Sequence, residues 1–443
     1  MSEPPDSGRP PAPTAGRSRV LAWALWDAGS TGVFAIVTTF VFPVYLTDTV
    51  GAGLPGETSP TSWLGWALAG AGVAVALLAP VTGMWVDAPW RRRRMLAALT
   101  GLSVLLTSAM VLVRVDHRYF WVGLVLLAAT AACTELATVP YNAMLRQLST
   151  PQTSGRISGF GWGMGYCGTV VLLLIIYFGF VSGDGDTRGL LGVPIADGEN
   201  IRAAMLLTAA WFALFAVPVI VAVPTPGPAP EVRREAVGFF DAHRKLWSEV
   251  VGEWRRDRNV VYYLLASAVF RDGLAGIFAF GAVLGVNVYG ISEADVLLFG
   301  VIASVVAAIG AVLGGLLDDR LGSKPVIVGS LAAMIVVGLT LMTLSGVLMF
   351  WIFGLLLTLF VGPAQSAART LMLRLSAEGK EGVAFGLYTT TGRAVSFLAP
   401  TMFSTFIYLF GADRAGMGGL CVVLIAGLLA MLAVRVPRQA GLR

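Results

Sequence analysis

The sequence predicts an all-α integral membrane protein of twelve transmembrane helices arranged as two six-helix bundles. Three observations carry that prediction. Hydrophobic residues make up 56% of the 443 positions and charged residues 13%, the balance of a membrane chain. The apolar residues fall in long blocks, twelve of which meet or approach the roughly 20 residues needed to cross a bilayer core about 30 Å thick. The longest polar stretch lies between the sixth and seventh blocks and divides them evenly.

The helices, numbered 1 to 12, are expected at 20–47, 63–86, 95–113, 119–141, 157–181, 203–223, 259–289, 296–317, 325–344, 347–363, 383–410 and 418–436. Residues 1–19 are rich in Pro, Ser and Gly, with three Arg and no apolar run. They read as a disordered cytoplasmic tail, which makes helix 1 a signal anchor rather than a cleaved signal. Helices 1–6 then form a bundle at 20–223, and helices 7–12 a second at 259–437, followed by a short tail at 438–443. The linker, 224–258, opens on the Pro-rich stretch 223–231, an extended spacer. After it, Phe239, Phe240, Trp247, Val250, Val251 and Trp254 recur at helical spacing among Arg244, Lys245, Arg255 and Arg256. That pattern fits an amphipathic helix lying in the headgroup layer, and equally a solvated linker helix.

Cytoplasmic loops retain positive charge. Of the 31 Lys and Arg, 24, counting Arg435 at the end of helix 12, fall in segments on the N-terminal side of the membrane and five in the alternate loops, so both termini are expected in the cytoplasm. The basic residues are nearly all Arg, amid abundant Ala and Gly, which points to GC-rich coding and a bacterial cell membrane. Cys133, Cys167 and Cys421 lie apart inside helices and carry no redox information. There is no Walker-type GKT or GKS, no His pair at helical spacing and no Cys–His grouping, which disfavours an enzyme or an ATP-driven pump. A channel would require repeated filter sequences. No cofactor, metal or nucleic acid is expected, and the chain reads as a monomer among lipids.

The two halves share a loop pattern. GMWVDAPWRRRR follows helix 2 and GLLDDRLGSK follows helix 8. Gly83 and Gly315 each precede an acid by four residues, Asp87 and Asp319, and a basic group follows, Arg92 and Lys324. The halves are therefore parallel repeats. The second copy, with Asp319, Arg320, Gly322 and Lys324, resembles the loop signature of the major facilitator superfamily. The first is degenerate, with Ala88 and Trp90 where the superfamily has a basic residue and Gly. Within it the chain is similar to the vacuole effluxer-like, autophagy-related permeases. The likeness runs through WALWDAG and TTFVFPVY in helix 1, YNAMLRQL after helix 4, GRISGFGWGMGYCG in helix 5, FRDGLAGIF in helix 7, and AQSAARTLMLRL with FGLYTTTGRAVSFLAP around helix 11. Helix 1 departs from the group, reading Asp27, Ala28, Gly29, Ser30, Thr31 where Asp-Trp-Ala-Asn-Ser is usual, and helix 5 lacks the antiporter Gly-Pro pair. The resemblance implies two bundles rocking about a central site and exporting amino acids or similar small solutes. Export of drug-like amphiphiles, or a non-transporting sensor or scaffold of the same fold, stands as the alternative.

Ionisable residues inside membrane helices are costly and face a cavity or a partner. Five stand out: Asp27, Glu135, Arg271, Asp272 and Arg393. At a rise of 1.5 Å per residue, Asp27 is expected about 10 Å and Glu135 about 9 Å inside the cytoplasmic boundary, and Asp272 and Arg393 near the midplane. That arrangement predicts an acidic pair below and a mixed Asp272–Arg393 pair in the middle. Asp27, Glu135 and Asp272 are candidate proton carriers, since His117 and His243 lie in loops; fixed ion pairs or helix caps are the structural alternative. Arg271 and Asp272 are about 100° apart on the helix, so one is expected to face the cavity and the other a neighbour. Arg393 is the candidate anchor for a substrate carboxylate. Asp87 and Asp319 are expected to accept hydrogen bonds from helix starts in the opposite bundle and so hold the cytoplasmic side shut. The run Arg91 to Arg94 reads as a solvated basic cluster. The glycines of helix 5, Gly155 to Gly168, read as close helix packing.

Overall fold

A bilayer leaves no water for backbone polar groups, so every apolar block must satisfy its own hydrogen bonds as helix. The structure, a computed structural model, describes residues 16–224 and 258–436. Within them lie twelve membrane-spanning helices: α1 (Arg17–Gly53), α2 (Pro60–Val86), α3 (Pro89–Leu112), α4 (His117–Leu148), α5 (Ser154–Val181), α6 (Ala196–Ala222), α7 (Arg258–Tyr289), α8 (Glu293–Leu321), α9 (Ser323–Thr343), α10 (Val347–Leu375), α11 (Glu381–Phe410) and α12 (Ala415–Ala433). The even count puts Gly16 and Val436, the outer limits of the described residues, on one side, called here the termini-bearing end. The expected tails and the amphipathic linker helix fall at 1–15, 225–257 and 437–443, outside the described residues.

The halves repeat each other contact for contact. In the first, α1 packs on α5 and α6, α2 on α4, and α3 on α4 and α6; in the second, α7 packs on α11 and α12, α8 on α10, and α9 on α10 and α12. The two bundles meet symmetrically, α2 against α11 and α5 against α8. Aromatic residues tie the first bundle together. Trp23 and Trp26 stack on Tyr141 at centroid distances of 4.5 and 4.3 Å. Their indole N–H groups donate to the Tyr141 carbonyl and Thr100 Oγ1 at 3.1 and 3.0 Å, leaving no buried donor on these two rings unpaired.

Two helices are irregular for identifiable reasons. α1 widens to π-type turns over Phe34–Phe40 and Tyr45–Val50, on either side of Pro43, which lacks the N–H a regular helix needs there. α11 breaks between Val395 and Leu398. Pro400 sits in the first turn of the second piece, where a missing N–H costs nothing but a continuous helix is barred.

Helix ends differ from the sequence expectation where polar residues stay helical. α4 runs to Leu148 rather than 141, and α10 to Leu375 rather than 363. The loop 182–202 contains a two-stranded hairpin pairing Thr187–Arg188 with Val193–Pro194, which the sequence did not predict.

Candidate functional site

The interface between the halves is densest at the termini-bearing end, and small residues make that possible. An added Cβ at Gly83 would strike the backbone of Gly382, and one at Gly159 would strike that of Ala311 and Gly315. The glycines of α5 divide between two faces. Gly155, Gly159 and Gly163 abut α8, while Gly161, Gly165 and Gly168 abut α1. α5 is thus pressed on both the opposite half and its own.

Polar contacts seal this end. Asp319 Oδ1 and Oδ2 accept from the Gly155 and Arg156 N–H groups at 2.8 and 3.2 Å. Asp87 Oδ1 accepts from the Val383 N–H at 3.1 Å. These donors belong to the first turns of α5 and α11, which have no intrahelical acceptor and carry the positive end of the helix dipole. Gly322 turns the α8–α9 loop at φ 89°, open to a residue without Cβ. Lys324 donates to the Leu432 and Val434 carbonyls at 2.9 and 2.5 Å, closing α12 in its own half, and Arg320 is exposed.

Arg92 overturns the reading of a solvated run. It is 2% exposed; its guanidinium donates to the Val86 and Ala143 carbonyls, both at 2.9 Å, and to Glu381 Oε2 at 2.8 Å. Glu381 also accepts from Arg146 Nε at 2.9 Å, and Arg146 crosses to the Leu373 and Ser376 carbonyls. Arg374 pairs with Asp318 and reaches the Pro151 carbonyl at 3.2 Å.

One layer deeper, Arg369 of α10 is buried between the halves. Its Nη1 donates to Asp27 Oδ2 at 3.1 Å, and its Nε and Nη2 to Ser158 Oγ and O at 2.9 and 2.6 Å. Its guanidinium carbon stands 5.0, 5.7 and 5.5 Å from the ring centres of Trp23, Tyr141 and Trp162. The Tyr166 hydroxyl joins Gln365 Oε1 across the halves at 2.7 Å.

Arg393 grips Glu135 with both Nε, at 2.5 Å, and Nη2, another pair across the halves. It lies 12 residues into α11, about 18 Å by helical rise. The partner of Arg393 is therefore Glu135, not the expected Asp272. Because α4 runs on to Leu148, Glu135 lies about 20 Å inside rather than about 9 Å, and Asp27 about 15 Å inside because α1 starts at Arg17. Asp27 and Glu135 therefore form no acidic pair; each holds its own arginine. The Arg393 and Glu135 side chains are 34% and 23% exposed, although the layers beneath are sealed. No cross-half hydrogen bond or ion pair among the described residues lies beyond this level.

Asp272 Oδ2 accepts from the Ala399 N–H at 2.6 Å, capping the outer piece of α11 at its break. Arg271 stacks on the Tyr388 ring at 3.8 Å and donates to the Tyr388 carbonyl at 3.0 Å. Both thus address α11, one on each side of the break, instead of dividing between cavity and neighbour. No group of three or more His, Cys, Asp or Glu among the described residues is arranged to hold a metal. The sequence reading missed Arg369, Glu381, Arg146, Arg374 and Asp318. The signal available for Arg369 and Arg374 was the stretch AQSAARTLMLRL, which continues the apolar face of α10 beyond its expected end.

Two related six-helix bundles, a polar seal at one end and a charged pair near mid-membrane define a transporter of the major facilitator superfamily. The outward-conformation crystal structure of the superfamily transporter FucP shares the fold, with a TM-score of 0.67 at 13% identity over 95% of this chain and 100% of that one. The chain belongs to the family of vacuole effluxer Atg22-like proteins, whose model matches residues 57–441. It is similar to the uncharacterized MFS-type transporter YxiO of Bacillus subtilis, 22% identical over 92% of each chain. Autophagy-related protein 22 of Cryptococcus neoformans is 24% identical over 65% of this chain, which spans about half (54%) of that relative.

Proposed function

We propose that the protein is a secondary active transporter that exports a small zwitterion, an amino acid or a solute of similar charge arrangement, across the cell membrane by alternating access. The Arg393–Glu135 pair carries this reading. A guanidinium fork and a carboxylate that close on each other across the halves offer the complement of a zwitterion: Arg393 takes the cargo carboxylate two-pronged, and Glu135 takes its ammonium group. The mutual pairing keeps either charge from standing alone in low dielectric when no cargo is bound. Glu135 binds a proton or an ammonium group, not both, so proton entry and cargo exit exchange at one carboxylate. The positive-inside bias supports a cytoplasmic position for the sealed, termini-bearing end, and with it an outward-facing conformation. The effluxer family supports the outward direction.

Purified protein in liposomes, assayed against a panel of amino acids with and without a pH gradient, tests the reading. Arg393→Gln should abolish flux, Arg393→Lys should leave a remnant, and Glu135→Gln should uncouple flux from the gradient. Flux of amphiphilic dyes indifferent to both residues would support drug export, and absence of any flux would refute transport of this class.

A further inference from the structure

Every group that holds the Arg369 guanidinium by charge or ring face comes from the first bundle: Asp27 and Trp23 on α1, Tyr141 on α4, and Trp162 on α5. Arg369 itself belongs to the second. Alternating access in this fold separates the bundles at the sealed end, so opening withdraws Arg369 from Asp27. It leaves behind a carboxylate walled by three aromatic faces. An unpaired carboxylate in such surroundings is costly, and a carboxylate set among aromatic rings is the chemistry that recognises organic cations. One polar group in the same walls also lacks a mate: the buried Trp162 indole N–H has no hydrogen-bond partner in the sealed state. The Tyr141 hydroxyl faces Asp27.

We infer that Asp27, Trp23, Tyr141 and Trp162 form a binding site for an organic ammonium group, filled by Arg369 while the termini-bearing end is sealed and free for cargo when that end opens. Arg369 is an internal stand-in for the ligand. Departure of a cation from this box lets the guanidinium return and the bundles close; entry of a cation holds them apart. The inference rests on the proposed export of a zwitterion, since the ammonium group of that cargo would meet this box first on its way from the sealed side. It extends to cations that carry no carboxylate, which the Arg393 anchor does not address.

Tetramethylammonium, which has no carboxylate, separates the two readings. Its saturable binding to the full-length protein in detergent can be followed by tryptophan fluorescence. Arg369→Ala vacates the box and should bind this probe, and methylguanidinium, at least about fivefold tighter than the wild type does, as expected where occupancy by Arg369 costs competing ligand a kilocalorie or more. Asp319→Asn, which loosens the seal without touching the box, should tighten binding in the same direction. Adding Asp27→Asn to Arg369→Ala should abolish it. Should that pair fail to fold, Trp162→Leu in the Arg369→Ala background should weaken binding several-fold while Trp162→Phe largely keeps it. Binding indifferent to Asp27 and Trp162, or proton uptake by Arg369→Ala with no cation binding, would overturn the inference. A failed amino-acid flux assay alongside Asp27-dependent tetramethylammonium binding would sink only the zwitterion reading.

Discussion

Glu381→Gln tests whether the seal at the termini-bearing end depends on charge. Glu381 and Arg92 are each 2% exposed in their side chains and lie 2.8 Å apart, so water screens the pair very little. Removing one partner of such a pair costs about 3–5 kcal/mol, because the other charge is left buried. The second partner, Arg146, is 34% exposed and adds about 0–1 kcal/mol. Arg92 keeps its bonds to the Val86 and Ala143 carbonyls, which softens the loss, so about 3 kcal/mol is the working figure. The pair bridges the bundles and exists only while they are closed here; once they part, both groups meet water. The penalty therefore falls on the closed state, and a 3 kcal/mol bias moves a two-state balance by roughly 150-fold. The assay is the rate at which a maleimide modifies Ser154→Cys, a position 1% exposed in the sealed state, with Cys133, Cys167 and Cys421 replaced. Labelling should accelerate by at least about tenfold in Glu381→Gln. An unchanged rate with unchanged thermal stability would show that the buried ion pair does not hold the bundles together.

Gly159→Leu forces a side chain into the Ala311 and Gly315 backbone, where nothing flexible can yield. It should open the same end and raise Ser154→Cys labelling, and a normal rate would mean that α5 and α8 do not need their close approach. Asp272→Asn keeps an acceptor for the Ala399 N–H but loses its charge, so it should cost about 1 kcal/mol in stability and leave coupled flux intact; loss of coupling would restore Asp272 as a proton carrier. Leu190→Cys, at a position 88% exposed in the hairpin between α5 and α6, should react with an impermeant reagent from outside intact cells. Reaction only after permeabilisation would invert the proposed topology.

The sequence by itself determined the number of spans, the internal repeat and the family. Each follows from constraints that act along the chain: a bilayer core needs about 20 apolar residues per helix, and a duplicated loop keeps its Gly and Asp spacing. The loop acids Asp87 and Asp319 were legible for the same reason, being set in a local pattern. Tertiary structure alone decided which charge meets which. Arg393 finds Glu135 at a separation of 258 residues and Arg369 finds Asp27 at 342, and no periodicity encodes a meeting between helices of different bundles. The expected Arg393–Asp272 pair failed because Glu135 was placed too shallow, from a helix 4 end drawn at 141 rather than 148, and because the α11 break offered Asp272 a backbone N–H to cap instead. Arg369, Glu381 and Arg92 looked like loop residues because a charged side chain near a helix end is ordinarily solvated. Only the closing of one bundle on the other removes that water, and with it turns a basic cluster and a lone acid into the seal.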